Sequence, residues 1–108
     1  MTLAELKTVL ESVTGFSKKV AYNAFPVGEA PALPFITFLQ TGAETYSADG
    51  IVYHQSPNVA IELYTDAKDS TTESLVETAL TTAKLYFTKD EQYLDDERCY
   101  MVVYQVTL

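Results

Sequence analysis

The segment from Glu44 to Asp69 is the feature that most limits how this chain can fold. It has the pattern of a β-strand, a tight turn at Asp49-Gly50 and a return strand that ends where a helix begins. A proline cannot donate a ladder hydrogen bond, so we expect Ser56-Pro57-Asn58 to break the return strand with a bulge or an edge. The tip, from Tyr46 to His54, extends beyond anything that so short a chain can pack against it. A long protruding β-hairpin is therefore predicted.

Length and charge restrict the class of protein. A chain of 108 residues can form a single domain, 1–108, with one modest core. Hydrophobic residues make up 47% and charged residues 20%, which is typical of globular rather than disordered proteins. The net charge of −8 opposes attraction to phosphate backbones and anionic membranes. We therefore expect neither sequence-specific binding to nucleic acid nor binding to a membrane.

The first residues, MTLAELKTVLESV, lack the basic beginning and continuous apolar run of a signal peptide. No stretch approaches the roughly 20 apolar residues that are needed to span a bilayer. We therefore expect the chain to be made and kept under cytosol-like conditions.

A capping-box signature, Ser or Thr followed three residues later by Glu, occurs at Thr2 and at Ser70. The first precedes apolar residues at helical spacing and predicts a helix over 2–13 that stops at Gly15. The second predicts a helix over about 71–86 that Asp69 or Ser70 begins. The apolar stripe expected on this second helix comprises Leu75, Val76, Ala79, Leu80, Ala83 and Tyr86 or Phe87.

The other apolar segments predict strands. A short strand is expected over 20–22, FITFLQT opens a strand in the middle of the sheet, and KDEQYLDDER reads as a short strand followed by an acidic turn. CYMVVYQVTL reads as a final strand, with Tyr100, Val102, Tyr104, Val106 and Leu108 on one face. This order predicts an α+β fold: a mainly antiparallel β-sheet of four to five strands, with two α-helices packed on one face.

The segment NAFPVGEAPALP, residues 23–34, carries Pro26 and two further prolines as well as a glycine, which exclude regular structure. A loop of this length is unusual in a small domain. We interpret it as a functional loop or as a segment that becomes ordered against another chain.

The sequence carries no catalytic motif, and we expect neither enzyme activity, a cofactor nor a metal site. His54 is the only histidine, so there is no His-His metal pair, and Asp49 is too close to it in sequence to indicate a catalytic base and its orienting group. Cys99 lies in an apolar run and is interpreted as a buried structural thiol.

Five carboxylates occur within eight positions near the C-terminus, at Asp90, Glu91, Asp95, Asp96 and Glu97. Such oxygen ligands could in principle hold Ca²⁺ or Mg²⁺, but the spacing does not match an EF-hand loop. A solvated acidic turn is the favoured interpretation.

Eight tyrosines are many for this length, and tyrosine suits half-buried sheet positions and protein interfaces equally well. Core packing accounts for Tyr100 and Tyr104. Tyr46 and Tyr53 lie near the hairpin tip, where little of the same chain can cover them, so a partner surface is expected there.

Three stretches in this order resemble the small tail-completion proteins of long-tailed bacteriophages and prophages, of the tail-terminator or head-tail joining type. They are VAYNAFPVGEAPALPFITFLQ, YSADGIVYH at the hairpin and VAIELYTDAKD before the second helix, and the similarity extends to RCYMVVYQVTL at the end.

The resemblance implies a virion assembly protein that forms a ring, expected to be a hexamer, at the head-proximal end of the tail tube. Such a ring ends tube polymerisation and joins tail to head, with the tail-tube protein and the head-tail connector protein as partners. It implies assembly in the host cytoplasm followed by incorporation into the virion. The interface residues we expect are Tyr46, Asp49, Tyr53, His54, Phe25 and Pro26.

Two alternatives remain open at this point. A head-closure or neck protein of the same phage type would bind the connector, rather than the tube, as its main partner. A non-viral ligand-binding or regulatory α+β domain would need no ring at all.

Overall fold

The structure is a computed structural model that describes the backbone of residues 1–108 and every side chain except those of Ala48, Val52 and Tyr53. Seven elements follow one another along the chain: α1 Leu3–Glu11, β1 Val20–Tyr22, β2 Phe35–Ala48, β3 Ile51–Thr65, α2 Ser70–Thr82, β4 Phe87–Leu94 and β5 Cys99–Thr107. The strands form one sheet in the order β1-β2-β3-β5-β4. Every neighbouring pair is antiparallel except β1 and β2, which confirms the predicted α+β fold.

The core lies between the two helices and one face of this sheet. Cross-strand partners in β2, β3 and β5 form rows, and the rows through Ile61 and Leu63 are buried because they face the helices. The helices contribute their own apolar stripes to the same cluster. Its main members are Leu6, Leu10, Phe16, Ile36, Phe38, Val59, Ile61, Leu63, Val76, Leu80, Val102, Tyr104 and Val106.

The proline-rich segment, residues 23–34, joins β1 to β2. These strands are parallel, so the chain must return along the full strand before β2 can begin, which takes about a dozen residues. The Phe25 ring packs edge-to-face on Phe35, with centroids 5.3 Å apart. Phe35 and its register partner Tyr64 lie one residue along from a row that faces the helices, so their side chains are on the other face of the sheet. The loop therefore crosses the face of the sheet opposite the helices. The length of the loop therefore has a cause within the fold.

The first helix forms as predicted. The Thr2 hydroxyl accepts a hydrogen bond from the Glu5 backbone N–H at 3.1 Å, and the Thr2 backbone N–H donates to the Glu5 carboxylate at 3.0 Å. This reciprocal pair is the capping box, and it satisfies two of the donors that a helix N-terminus leaves free.

The capping box predicted for the second helix is wrong. Asp69, not Ser70, caps α2, and its carboxylate accepts a hydrogen bond from the Thr72 backbone N–H at 3.0 Å. The helix also ends at Thr82, earlier than the predicted 86, because Lys84 takes a positive φ of 62° and turns the chain into β4. Because Asp69 provides the cap, the Glu73 side chain can turn toward the protein interior.

The expected apolar stripe was wrong at its C-terminal end for the same reason. Phe87 begins β4 and packs at the edge of the core, with its ring 5.3 Å from that of Tyr104. Tyr86 lies outside any helix and is 96% exposed. Leu75 also lies on the exposed side of α2, whereas Val76 and Leu80 are buried.

Glu73 is 3% exposed and is the centre of an ion network that fastens α2 to β4. Its carboxylate oxygens lie 2.8 Å from Lys68 Nζ and 2.7 Å from Lys89 Nζ. Lys89 also contacts Glu77 at 2.8 Å, and Lys68 also contacts Glu91 on β4. The network therefore joins the helix to β4, an edge strand whose side chains are partly buried only at its two ends.

The electrostatics of the network follow from this geometry. Burial by itself raises the pKa of Glu73, but hydrogen bonds from Lys68 and Lys89 outweigh it, so this pKa lies below its ordinary value of 4.5. The Tyr104 hydroxyl donates to Glu77 at 2.8 Å. Burial, followed by this hydrogen bond, raises the pKa of Tyr104 well above its ordinary range.

The break predicted in the return strand at Ser56-Pro57-Asn58 is wrong, but the edge position predicted for this proline is confirmed. β3 is continuous from Ile51 to Thr65, and the irregularity near this point lies between Gln40 and Gly42 in β2. Pro57 fits because it pairs with Ala43 at a point where β3 has passed the end of β5 and has a single neighbouring strand.

Two other expectations concern burial and membranes. The Cys99 side chain is buried, as predicted, and burial raises the pKa of its thiol. Neither α1 nor α2 in the described chain has the length and apolar character that crossing a membrane would require.

Replacing Glu73 by Gln is expected to lower the free energy of unfolding at neutral pH by about 2 kcal/mol. This is less than the roughly 3–5 kcal/mol for a fully buried pair, because both lysines remain partly solvated. The pKa of Glu73 is depressed in the folded state. Its contribution to the free energy of unfolding is therefore present above pH 4.5 and is lost as the pH falls through the lower pKa of the folded state. Urea unfolding at neutral pH and at about pH 3 measures both effects.

Glu91→Gln is the matched control, because it removes a largely solvated carboxylate from the same network and should change stability by no more than about 0.5 kcal/mol. Equal destabilisation by Glu73→Gln at both pH values would contradict the ionic account.

Candidate functional site: the hairpin arm

Residues 42–57 form a two-stranded ribbon, here called the arm. β5 ends at Thr107, opposite Asn58, so the arm extends past the end of the neighbouring strand. Among the side chains that the structure describes, none from the arm belongs to the hydrophobic core. The molecule measures 50 × 29 × 24 Å with a radius of gyration of 14.9 Å, compared with about 13 Å for a compact domain of this length. The predicted protruding hairpin is confirmed.

The turn at the tip is built as the sequence predicts. Asp49 and Gly50 both take positive φ, 54° and 76°, which is the conformation of a two-residue turn whose twist matches that of the flanking strands. Gly50 adopts this backbone without the Cβ strain of other residues, and Asp tolerates it better than most. Asp49 is exposed at the far end of the arm.

Tyr46 and His54 face each other across the arm. They are register partners, their ring centroids lie 5.8 Å apart, and Tyr46 is 55% exposed. His54 Nε2 lies 3.1 Å from the Ser56 hydroxyl oxygen on the same side of the ribbon. These contacts hold the imidazole in place and present an aromatic surface beside polar groups, a combination that suits a protein interface.

The six predicted interface residues do not form one site. Tyr46, Asp49 and His54 lie in the outer half of the arm. Phe25 and Pro26 lie beside Phe35 at the opposite end of β2, roughly 35 Å from Tyr46 along the strand. Phe25 is half-buried by its packing on Phe35, whereas Pro26 is exposed. The side chain of Tyr53 lies outside the described residues, so its role stays a prediction.

Among the described residues no group of three or more His, Cys, Asp or Glu side chains is placed to hold a metal ion. The five C-terminal acidic residues are exposed on β4 and its turn, and Glu91 is drawn into the ion network by Lys68. The arm carries exposed tyrosine, isoleucine and backbone at a sheet edge, all of which can pair with another chain.

The two outer edges of the sheet carry exposed tyrosines that the sequence pattern does not distinguish. Tyr22 on β1 and Tyr93 on β4 are each about half exposed, at 48% and 46%. Their positions were not predictable from local pattern, because which strands lie at the edges depends on the strand order of the whole sheet.

Comparison with known proteins gives a likeness in fold. A chain in a solved structure of the virion of a native gene transfer agent particle superposes with a TM-score of 0.56 over 96% of this chain and 84% of that one, at 14% sequence identity. No protein-family model matches the chain, and no curated protein matches it either. The fold shared with a virion component is the finding that these comparisons contribute.

Shortening the arm is expected to leave the domain folded. Deleting residues 44–47 together with 52–56 keeps the Asp49-Gly50 turn and its Ala48–Ile51 pair and sets that pair next to Ala43–Pro57, so register is preserved. Because none of the described side chains that it removes belongs to the core, the free energy of unfolding should change by no more than about 1 kcal/mol in urea titrations.

Leu63→Ala is the comparison, since it empties a fully buried position and should cost about 2–5 kcal/mol. Loss of cooperative unfolding in the arm-shortened variant would show that the arm belongs to the folding unit.

Proposed function

We propose that this chain is a structural virion assembly protein that forms a ring at the head-proximal end of a phage tail tube, ends tube polymerisation and joins tail to head. The observation that carries the proposal is the arm, which the fold holds in a defined register but does not cover. A likeness in fold to a virion component supports it. The resemblance of the sequence to tail-completion proteins names the particular place in the virion.

The arm suits assembly for a physical reason. An isolated two-stranded ribbon is only marginally stable in water, and residues 42–57 have no third strand or helix along most of their length. Contact with a partner would supply the missing cover and bury Tyr46 and Ile51, both of which are exposed in the isolated subunit. The arm would then pack against the partner rather than against its own core.

A ring also explains why the arm is on one side of the subunit. Head-to-tail contacts that close by rotation require two different complementary surfaces on each copy. An arm that projects in one direction reaches a surface on the next copy, or on the tube. That surface differs from the part of the subunit that carries the arm.

Deleting the gene in the phage or prophage and imaging the particles tests the role directly. A terminator is expected to leave unjoined heads together with overlong tails, because nothing then ends tube growth. Unjoined heads with tails of normal length would instead indicate a head-closure or neck protein. Normal, infectious particles would contradict both.

Point variants test the arm. Tyr46→Ser combined with Tyr53→Ser is expected to leave the subunit folded, with unchanged circular dichroism, and to reduce the yield of joined particles when it complements the deletion. Tyr86→Ser is the matched control, because it removes a tyrosine that is 96% exposed outside the arm. A normal yield from the double variant would remove the arm from the proposal.

A further inference from the structure

We propose that the two edges of the sheet join neighbouring copies: β4 and its turn on one copy dock antiparallel against β1 and the preceding loop of the next. The inference rests on the proposed ring and names the contact that would close it. Its occupant is a second copy of this chain.

The strand order places the two surfaces at opposite ends of each subunit. β1 is one outer strand of the five-stranded sheet and β4 is the other, so they are separated by about 19 Å of sheet. An edge that meets the opposite edge of an identical copy makes a head-to-tail contact, and contacts of this type generate rings when the rotation closes.

The strand directions fix which ends would meet. β1 runs parallel to β2, and each following pair in the order β2-β3-β5-β4 is antiparallel, so β1 and β4 run in opposite directions. Setting β4 beside β1 of the next copy therefore gives an antiparallel pair. In such a pair the start of β1 lies beside the end of β4.

The charges agree with this alignment. Lys18 and Lys19 immediately precede β1, and Asp95 and Asp96 immediately follow β4. Among the described side chains, none of the ion pairs includes any of these four residues. Antiparallel docking would place the two lysines of one copy against the two aspartates of the next, which is complementarity that an isolated subunit leaves unused.

The charge asymmetry extends over the whole chain. Residues 1–28 carry three lysines and two glutamates, a net charge of +1, while residues 29–108 carry four basic and thirteen acidic residues, a net charge of −9. Acidic residues on β4 oppose its pairing with another β4, so the same charges disfavour a symmetric contact. The β1 side of the subunit, with its two lysines, is the part that attracts the acidic residues of β4.

An aromatic residue stands at each edge on the same face of the sheet. Tyr22 is the register partner of Phe38, and Tyr93 is the partner of Tyr100; both rows lie on the helix side. Tyr22 stacks edge-to-face on Phe38 at 5.2 Å and Tyr93 on Tyr100 at 4.9 Å, so both rings are held in place while about half exposed. In the antiparallel register that sets Tyr22 opposite Tyr93, Lys19 lies opposite Asp96 and Lys18 opposite Glu97, so the lysines still meet the acidic turn while the two tyrosines lie side by side and would cover each other.

A charge-exchange experiment tests the contact. One variant carries Asp95→Lys and Asp96→Lys, and the other carries Lys18→Glu and Lys19→Glu. Each variant alone should associate at least about tenfold more weakly than the wild type, because every edge contact becomes repulsive. An equimolar mixture should recover association, since each acidic edge then meets a basic one. Sedimentation velocity at about 10 mM ionic strength, where the Debye length is about 30 Å, is the measurement.

Glu29→Lys with Asp66→Lys is the control, because it makes the same change in net charge as the aspartate variant at exposed positions outside both edges and outside the arm. Association that is weakened in both edge variants, restored in the mixture and unchanged in the control supports the proposal. It is overturned by a wild-type protein that stays monomeric under these conditions, by edge variants that associate normally, or by a mixture that shows no recovery.

Failure of this inference is distinguishable from failure of the proposed function. If the edge variants associate normally while the arm variants still fail to produce joined particles, the ring uses another contact and the virion role stands. If gene deletion leaves normal particles, the virion role fails whatever the sedimentation result.

Discussion

The long antiparallel pairing of β2 with β3 is the interaction on which the rest of the structure depends. In its inner half the pairing aligns Ile36 with Leu63 and Phe38 with Ile61, which builds the buried face on which both helices pack. In its outer half the same ladder continues past the core as the arm. A slip of one residue would turn the buried rows toward solvent, so the hydrophobic core fixes the register of the arm as well. The irregularity near Thr41 marks the change between the two regions.

The elements at the margin of the sheet are attached by more local devices. β1 contributes only three residues, and the Tyr22 hydroxyl accepts a hydrogen bond from the Gln40 backbone N–H at 3.1 Å where β1 has ended. β4 is joined to α2 through Glu73 and its two lysines. These devices leave the outward sides of both strands open. A single small sheet thereby offers an arm and two unlike edges, which are the surfaces that the proposed ring would use.

Local signals predicted the local features. The Thr2 capping box and the Asp49-Gly50 turn each depend on a few neighbouring residues, and both form as expected. The errors occur where distant residues compete. Glu73 has the spacing of a capping residue, but two lysines, one of them from β4, draw it into the ion network, and Asp69 caps the helix instead. Its position three residues before Val76 and seven before Leu80 was the signal that it lay on the buried stripe.

The sequence by itself determined the fold class, the order of the elements and the existence of a hairpin longer than the core can cover, because hydrophobic period, caps and turn residues act over short distances. Only the tertiary structure decided the strand order, the reason for the loop over residues 23–34, and the separation of Phe25 and Pro26 from the arm. It also placed β1 and β4 at opposite edges with unlike charges. These properties depend on which strands pair, and pairing is set by the packing of residues far apart in the chain, which no local pattern records.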